Sequence, residues 1–127
     1  MTTPVLQQQL EERIHRELSH LTAEDRCVLV CIIKRLVEVY QPDRIYLFGS
    51  KARGDAGPDS DYDILVLVEQ PTEPLYRLSQ CGFRALRGIA AAVDVVVWDR
   101  ATFDARLHLP ASFPATVERE GRLLHVA

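Results

Sequence analysis

The stretch FGSKARGDAGPDSDYDILVLV, residues 48 to 68, sets two apolar runs on either side of a polar loop. Gly49 and Ser50 close the first run, and Asp61 and Asp63 open the second. Side chains two apart on a strand share a face, so Asp61 and Asp63 project together while Tyr62 points the other way. Two carboxylates that close repel, and one is forced to keep its proton unless a cation lies between them. A hard divalent ion such as Mg²⁺ suits that position, because it seeks carboxylate oxygens.

Outward from this stretch the elements fall into order. RIYLF, Arg44 to Phe48, is a short buried strand, and DYDILVLVE is a second, closed by Pro71 and Pro74. The intervening KARGDAGPDS is a loop by its Gly, Pro, Asp and Ser content. It holds no helix long enough for a crossover, so the two strands are antiparallel and the sheet is mixed. VDVVVWD is a third strand. Upstream, Leu6, Leu10, Ile14, Leu18 and Leu21 form one helical stripe over Val5 to Leu21. Thr22 and Asp25 resemble a capping box opening a second helix, which reaches about Tyr40 and stops before Pro42. That helix is apolar nearly all round and is expected to be covered on most sides. Downstream, Leu75 to about Ala92 is helical, with Gly82 and Gly88 as weak points. Short helices follow at Phe103 to Leu109 and Phe113 to Glu120, and RLLHV is an edge strand or tail. The fold class is α/β (α+β): a small mixed sheet flanked by helices, in one domain of residues 1–127. Its parts are N-terminal helices (1–41), a core (44–99) and C-terminal helices with a tail (100–127).

The 127 residues suit one core, and the formal net charge of −3 gives no global attraction to nucleic acid or anionic membrane. Direct nucleic-acid binding is not expected, since no basic stripe is present. No apolar run is long enough to span a bilayer, and the N-terminus lacks the character of a signal peptide, so a cytoplasmic protein is expected. Cys27, Cys31 and Cys81 are too few for a disulfide framework. Cys27 and Cys31, four apart without a histidine pair, are expected to be buried free thiols. The four histidines show no ligand spacing, and Trp98 and Tyr62 are expected in the core.

A third carboxylate stands in the third strand. Asp94, flanked by AAV and VVV, is costly there unless paired or bound to metal. Asp99 is its rival, but it lies at the strand's far end and suits a helix N-cap better. Gly49 lets the backbone turn and approach a ligand, and Ser50 offers a hydroxyl and an N–H to a phosphate oxygen. Arg53 can grip phosphate in bidentate fashion. Lys51 is taken as a solvated loop charge, outside the site. Metal-binding carboxylates facing a phosphate-holding loop are the parts of phosphoryl or nucleotidyl transfer.

Gly49-Ser50, ten residues, then Asp61-Tyr62-Asp63 resembles the GS-x₁₀-D-x-D signature of the minimal nucleotidyltransferases of the DNA polymerase β-like superfamily. Ala52, Arg53, Gly54 and Ser60 fit its extended form, and VDVVV fits the third-carboxylate strand. The resemblance covers roughly Ile45 to Asp99. It implies a nucleotidyltransferase fold, two Mg²⁺ ions on Asp61, Asp63 and Asp94 as catalytic residues, and nucleotide contacts from Gly49, Ser50, Arg53 and Ser60. Ser60 by itself suits support of the aspartate turn. ATP is the implied donor and AMP the group transferred.

Nearly the whole chain is spent on this core, so the acceptor is expected to be brought by another protein, by a second copy, or by the opposite face of the site. The resemblance implies a HEPN-domain toxin as partner, with this chain its antitoxin, attaching AMP to the toxin and silencing its RNase activity. Two alternatives stand beside it: a small-molecule nucleotidyltransferase acting as a dimer or other homo-oligomer, and a non-enzymatic module that neutralises a partner by contact.

Overall fold

A computed structural model describes residues 4–57 and 60–127; the Pro58–Asp59 part of the loop and the Leu6 member of the leucine stripe lie outside the described placements. Helix α1 spans Pro4–Glu17 and buries Leu10 and Ile14, with Leu18 just beyond it equally buried. Helix α2 spans Ala23–Tyr40, and the Thr22 side chain accepts a hydrogen bond from the Asp25 amide at 3.1 Å. Leu29, Ile32, Ile33 and Leu36 form its buried stripe. The covering of α2 is narrower than its composition suggests: Cys27 and Val39 are exposed and Cys31 is half-buried. The expected burial of the two thiols is therefore corrected. They stand on the side of α2 away from the sheet, in a groove shared with α1.

Strand β1 is Arg44–Phe48, followed by a single helical turn, α3, at Ser50–Arg53. The loop thus contains a short helix that its turn-rich composition concealed. Strand β2 is Tyr62–Val68, α4 is Leu75–Ala85 and β3 is Val93–Asp99. Helix α4 ends earlier than its pattern suggests, and Gly88 beyond it takes the left-handed φ of 89°. Gly82 is no weak point. A β-carbon there would come within 2.5 Å of the Tyr40 hydroxyl and 3.3 Å of Val95, so glycine lets α4 lie close to α2 and β3. Tyr40 donates to the Leu78 carbonyl in this contact, and burial pushes its pKa up to about 12. Helix α5 covers Arg100–Arg106, α6 covers Phe113–Glu120 and β4 covers Arg122–Val126. Helix α5 begins three residues earlier than expected because Asp99 caps it.

The sheet runs β3-β2-β1-β4. β1 is antiparallel to β2 and β4, while β2 and β3 are parallel, as the short first loop requires. One face of the sheet (Ile45, Leu47, Ile64, Val66, Val95 and Val97 among its side chains) packs on the helices α1, α2 and α4. The other face carries Tyr46, Leu65 and Leu67 against Phe103 of α5 and Val117 of α6. Period-two alternation thus serves both layers at once. Tyr62 is in the first core as expected, and Trp98 is half-buried at the rim of the second. Among the described residues no helix is long and apolar enough to cross a membrane.

The Asp99 side chain accepts from the Thr102 amide at 2.9 Å and hydroxyl at 2.8 Å, and these bonds hold its carboxyl below the usual range. Asp99→Ala should therefore cost about 1 kcal/mol of stability in urea denaturation. Any nucleotide binding should survive the change; a loss of binding without a loss of stability would move Asp99 into the site.

Candidate functional site

The strand pairings bring Asp63 into a three-strand junction. It pairs with Phe48 of β1 on one side and with Asp94 of β3 on the other. Residues opposite one another on neighbouring strands point the same way, so Asp63 and Asp94 share the face that carries Leu65, Val96 and Trp98. Asp99 pairs with Val68 at the opposite end of the same two strands and is occupied as the cap of α5. The geometry therefore sets Asp94, not Asp99, beside Asp63.

Asp61 lies one residue before β2 and is exposed, as is Asp94. Asp63 is half-buried. Its carboxyl is pushed above the ordinary range, first by burial, then by the Asp94 and Asp61 charges, with Arg53 opposing. Among the described residues, no three His, Cys, Asp or Glu side chains converge closely enough to hold a metal ion. The Asp61 and Asp94 carboxylates repel the half-buried Asp63 carboxylate, and the three form an open group rather than a closed cage.

Gly49 lies directly on this group. Its φ of 76° is a left-handed value, and a β-carbon there would collide with the Asp63 carboxylate oxygen and lie 3.1 Å from its carboxyl carbon. Only glycine allows both the turn and the close approach. The chain then enters α3, where the Ala52 and Arg53 amides bond to the Gly49 carbonyl. The Ser50 and Lys51 amides precede the first possible acceptor in that turn and have no intrahelical partner. Ser50 follows Gly49 directly, so this turn starts at the end of the sheet where Asp63 stands. Gly54, with φ of 90°, closes the turn by donating to the Ser50 carbonyl.

Arg53 is half exposed and lies 3.2 Å from Asp55 and 3.9 Å from Glu120 of α6, close enough to Asp63 to oppose its upward shift. The Ser60 hydroxyl accepts from the Gly57 amide at 2.9 Å, which shapes the loop before Asp61.

Lys51 is the residue that the loop's composition concealed. It is only 5% exposed. Its Nζ lies 3.7 Å from the Asp25 carboxylate and 4.5 Å over the Tyr62 ring. Tyr62 donates to the same carboxylate at 3.1 Å, and burial, then Asp25, raises its hydroxyl pKa. His20 donates from Nε2 to the Lys51 carbonyl at 2.7 Å. The capping box at Thr22 is thus only half made, because the Asp25 side chain turns to Lys51 and Tyr62 instead of its own helix. That turn of Asp25 was the one signal available: an acidic residue with a capping role and a second use. Together these contacts tie α3 and the start of β2 to the N-terminal helices.

Lys51→Met should remove the cation paired with Asp25 and seated over the Tyr62 ring, costing roughly 1–3 kcal/mol in urea denaturation. It should also weaken nucleotide binding by calorimetry, since the loop loses its anchor. Unchanged nucleotide affinity in a destabilised variant would show that α3 is held by other contacts.

The raised Asp63 carboxyl sets a pH dependence. A group whose folded pKa exceeds its unfolded value favours the folded state below the unfolded pKa, and that contribution disappears as pH rises through the folded pKa. At neutral pH, without divalent ions, the ionised Asp63 therefore weakens the fold. Asp63→Asn should raise Tm at pH 7, and the gain should shrink toward the acid side of the carboxylate range. An equal or lower Tm at pH 7 would contradict the charge conflict.

The profile of the nucleotidyltransferase domain family matches residues 29–123. A search of curated proteins found no match. Among solved structures, a candidate nucleotidyltransferase from Sulfolobus solfataricus is similar at 26% identity and a TM-score of 0.48, over 76% of this chain and 79% of that one. A toxin–antitoxin crystallised with AMP-PNP is similar at 25% identity and 0.49, over 76% and 72%. A variant of the MntA–HpeT toxin–antitoxin is similar at 22% and 0.46, over 75% and 71%. The matched segment takes in α2 from Leu29, strands β1 to β3, the Gly49–Asp63 loop and the first two residues of β4, and on it this chain belongs to the nucleotidyltransferase domain family.

Proposed function

We propose that the chain is a Mg²⁺-dependent nucleotidyltransferase that moves AMP from ATP to a hydroxyl of a partner protein, serving as the antitoxin of a HEPN-type RNase toxin. The observation that carries the chemistry is the Asp63–Asp94 pairing, with the Gly49 backbone pressed against Asp63. Family membership supports nucleotidyl transfer. The protein acceptor and the toxin rest on the resemblance that the Gly49–Asp63 signature carries.

The donor set fits the metal. It consists of hard carboxylate oxygens, and the conflict that raises the Asp63 pKa is one that a divalent cation relieves. Asp61, Asp63 and Asp94 would hold Mg²⁺, two ions in all, which supplies Lewis-acid polarisation and charge neutralisation when bound.

The rest of the work falls to the chain. The Ser50 hydroxyl and the first amides of α3 donate to phosphate oxygens, and Gly49 leaves room for them to approach. Arg53 exchanges its contact with Asp55 or Glu120 for the triphosphate. The acceptor oxygen attacks the α-phosphorus as the bond to the leaving pyrophosphate breaks, and its proton passes to the exposed Asp94 carboxylate. Ser60 keeps the preceding turn in shape so that Asp61 and Asp63 meet the nucleotide together.

The test is an intact-mass measurement of the chain with MgATP and the protein encoded beside it. A gain of one or more AMP units on that protein is expected, and Asp61→Asn, Asp63→Asn and Asp94→Asn should each abolish it with the fold retained. Equal complex formation by parent and variants with no mass gain would favour a neutralising binder, and AMP on a small alcohol alone would favour the small-molecule enzyme.

A further inference from the structure

The four-stranded sheet ends in two unlike edges. β4 has five residues and shifts register against β1 between Ile45 and Tyr46. Such shifts blunt an edge. β3 pairs with β2 through seven consecutive residues without a shift. It contains no Lys or Pro, the residues that usually protect an edge, and four of its seven residues are valine.

The hydrogen bonds show which backbone groups are open. The Tyr62 amide donates to the Ala92 carbonyl. In a parallel ladder alternate residues turn both groups to the same neighbour, so Asp94, Val96 and Trp98 face β2. Val93, Val95 and Val97 turn their N–H and C=O groups outward, and among the described residues no backbone bond from another element reaches them. Helix α4 leaves this row open because it packs on the face of β3, with Gly82 against the Val95 side chain.

Resting on the nucleotidyl-transfer reading, we propose that the outer edge of β3 receives an extended segment of the acceptor protein as an added strand, which sets the hydroxyl to be modified beside Asp94. A row of unpaired amides and carbonyls is filled by another backbone and by no small molecule. Paired side chains on adjacent strands lie about 5 Å apart, so the residue opposite Asp94 arrives within reach of its carboxylate. Residues two and four further along the added strand meet Val96 and Trp98, both half-buried on the Asp94 face. The segment is neutral or basic, since the edge already carries Asp94 and Asp99, with Asp61 and Asp63 close by. A second copy of this chain would bring its own Asp94 and Asp99 to that edge. Helix α4 offers a flank for the rest of the acceptor, with Tyr76 64% and Phe83 55% exposed on one side.

The test uses the full chain, ATP labelled in its α-phosphate, Mg²⁺, and an array of peptides with a central Tyr, Ser or Thr among neutral and basic residues. Labelled peptides are expected to lose label when Pro is placed at alternate positions and to keep it at those between. Val93→Pro removes an outward amide without breaking the β2 ladder. It should lower peptide labelling about tenfold, the equivalent of one lost hydrogen bond, with AMP-PNP affinity unchanged. In the parent chain, a labelled peptide should slow amide exchange at Val93, Val95 and Val97, a readout that does not depend on the variant folding. Labelling indifferent to Pro, unprotected β3 amides, transfer to glycerol but to no peptide, or dimerisation through β3 would each overturn the added strand. Absence of AMP transfer to any acceptor would instead overturn the nucleotidyl-transfer reading beneath it.

Discussion

A half-buried carboxylate wedged between a glycine backbone and a second carboxylate is the constraint on which this structure turns. Asp63 occupies the inner strand where β1 ends and β3 begins, with Gly49 against its oxygens and Asp94 beside it. Burial and like charge both oppose its ionised form. An ionised carboxylate in that position works against the fold. Local destabilisation of this kind is characteristic of sites where charge is kept for chemistry.

The rest of the molecule holds that arrangement in place. Gly49 can approach Asp63 only if the turn after β1 is pinned, and the pin is Lys51, buried between Asp25 and Tyr62 with its carbonyl held by His20. Asp25 belongs to α2 and His20 to the connection before it, so the N-terminal helices act on the loop as well as covering one face of the sheet. On the opposite face, α5 and α6 close the second core and Glu120 reaches Arg53. The two layers meet the loop from both sides, while the β3 edge stays open.

Much of this was legible in the residues. β1, β3 and α6 follow their patterns at both ends, and the antiparallel first pairing follows from a loop too short for a crossover. The Asp99 cap was legible because an N-cap is a local event: a side chain bonding to an amide three residues on. Burial depends on distant partners and was harder to read. Cys27 and Cys31 sit on an apolar helix, yet α1 borders their side of α2 without closing over it, so Cys27 is exposed and Cys31 half-buried in the groove between the two helices. Lys51 sits in a polar loop, yet α2 and Tyr62 enclose it.

Alternation, turn chemistry and capping act within a few residues, so β1, β2, β3, the order of the elements and the Asp99 cap could be read from the residues, whereas RLLHV stayed open between strand and tail and Asp61 falls one residue short of β2. Long-range packing was needed to show that Asp63 meets Asp94 in register, that Gly49 lies on Asp63, that Lys51 is buried, and that β3 ends the sheet. Those facts depend on how strands far apart in the chain align, and alignment is set by the summed packing of two cores rather than by any local pattern.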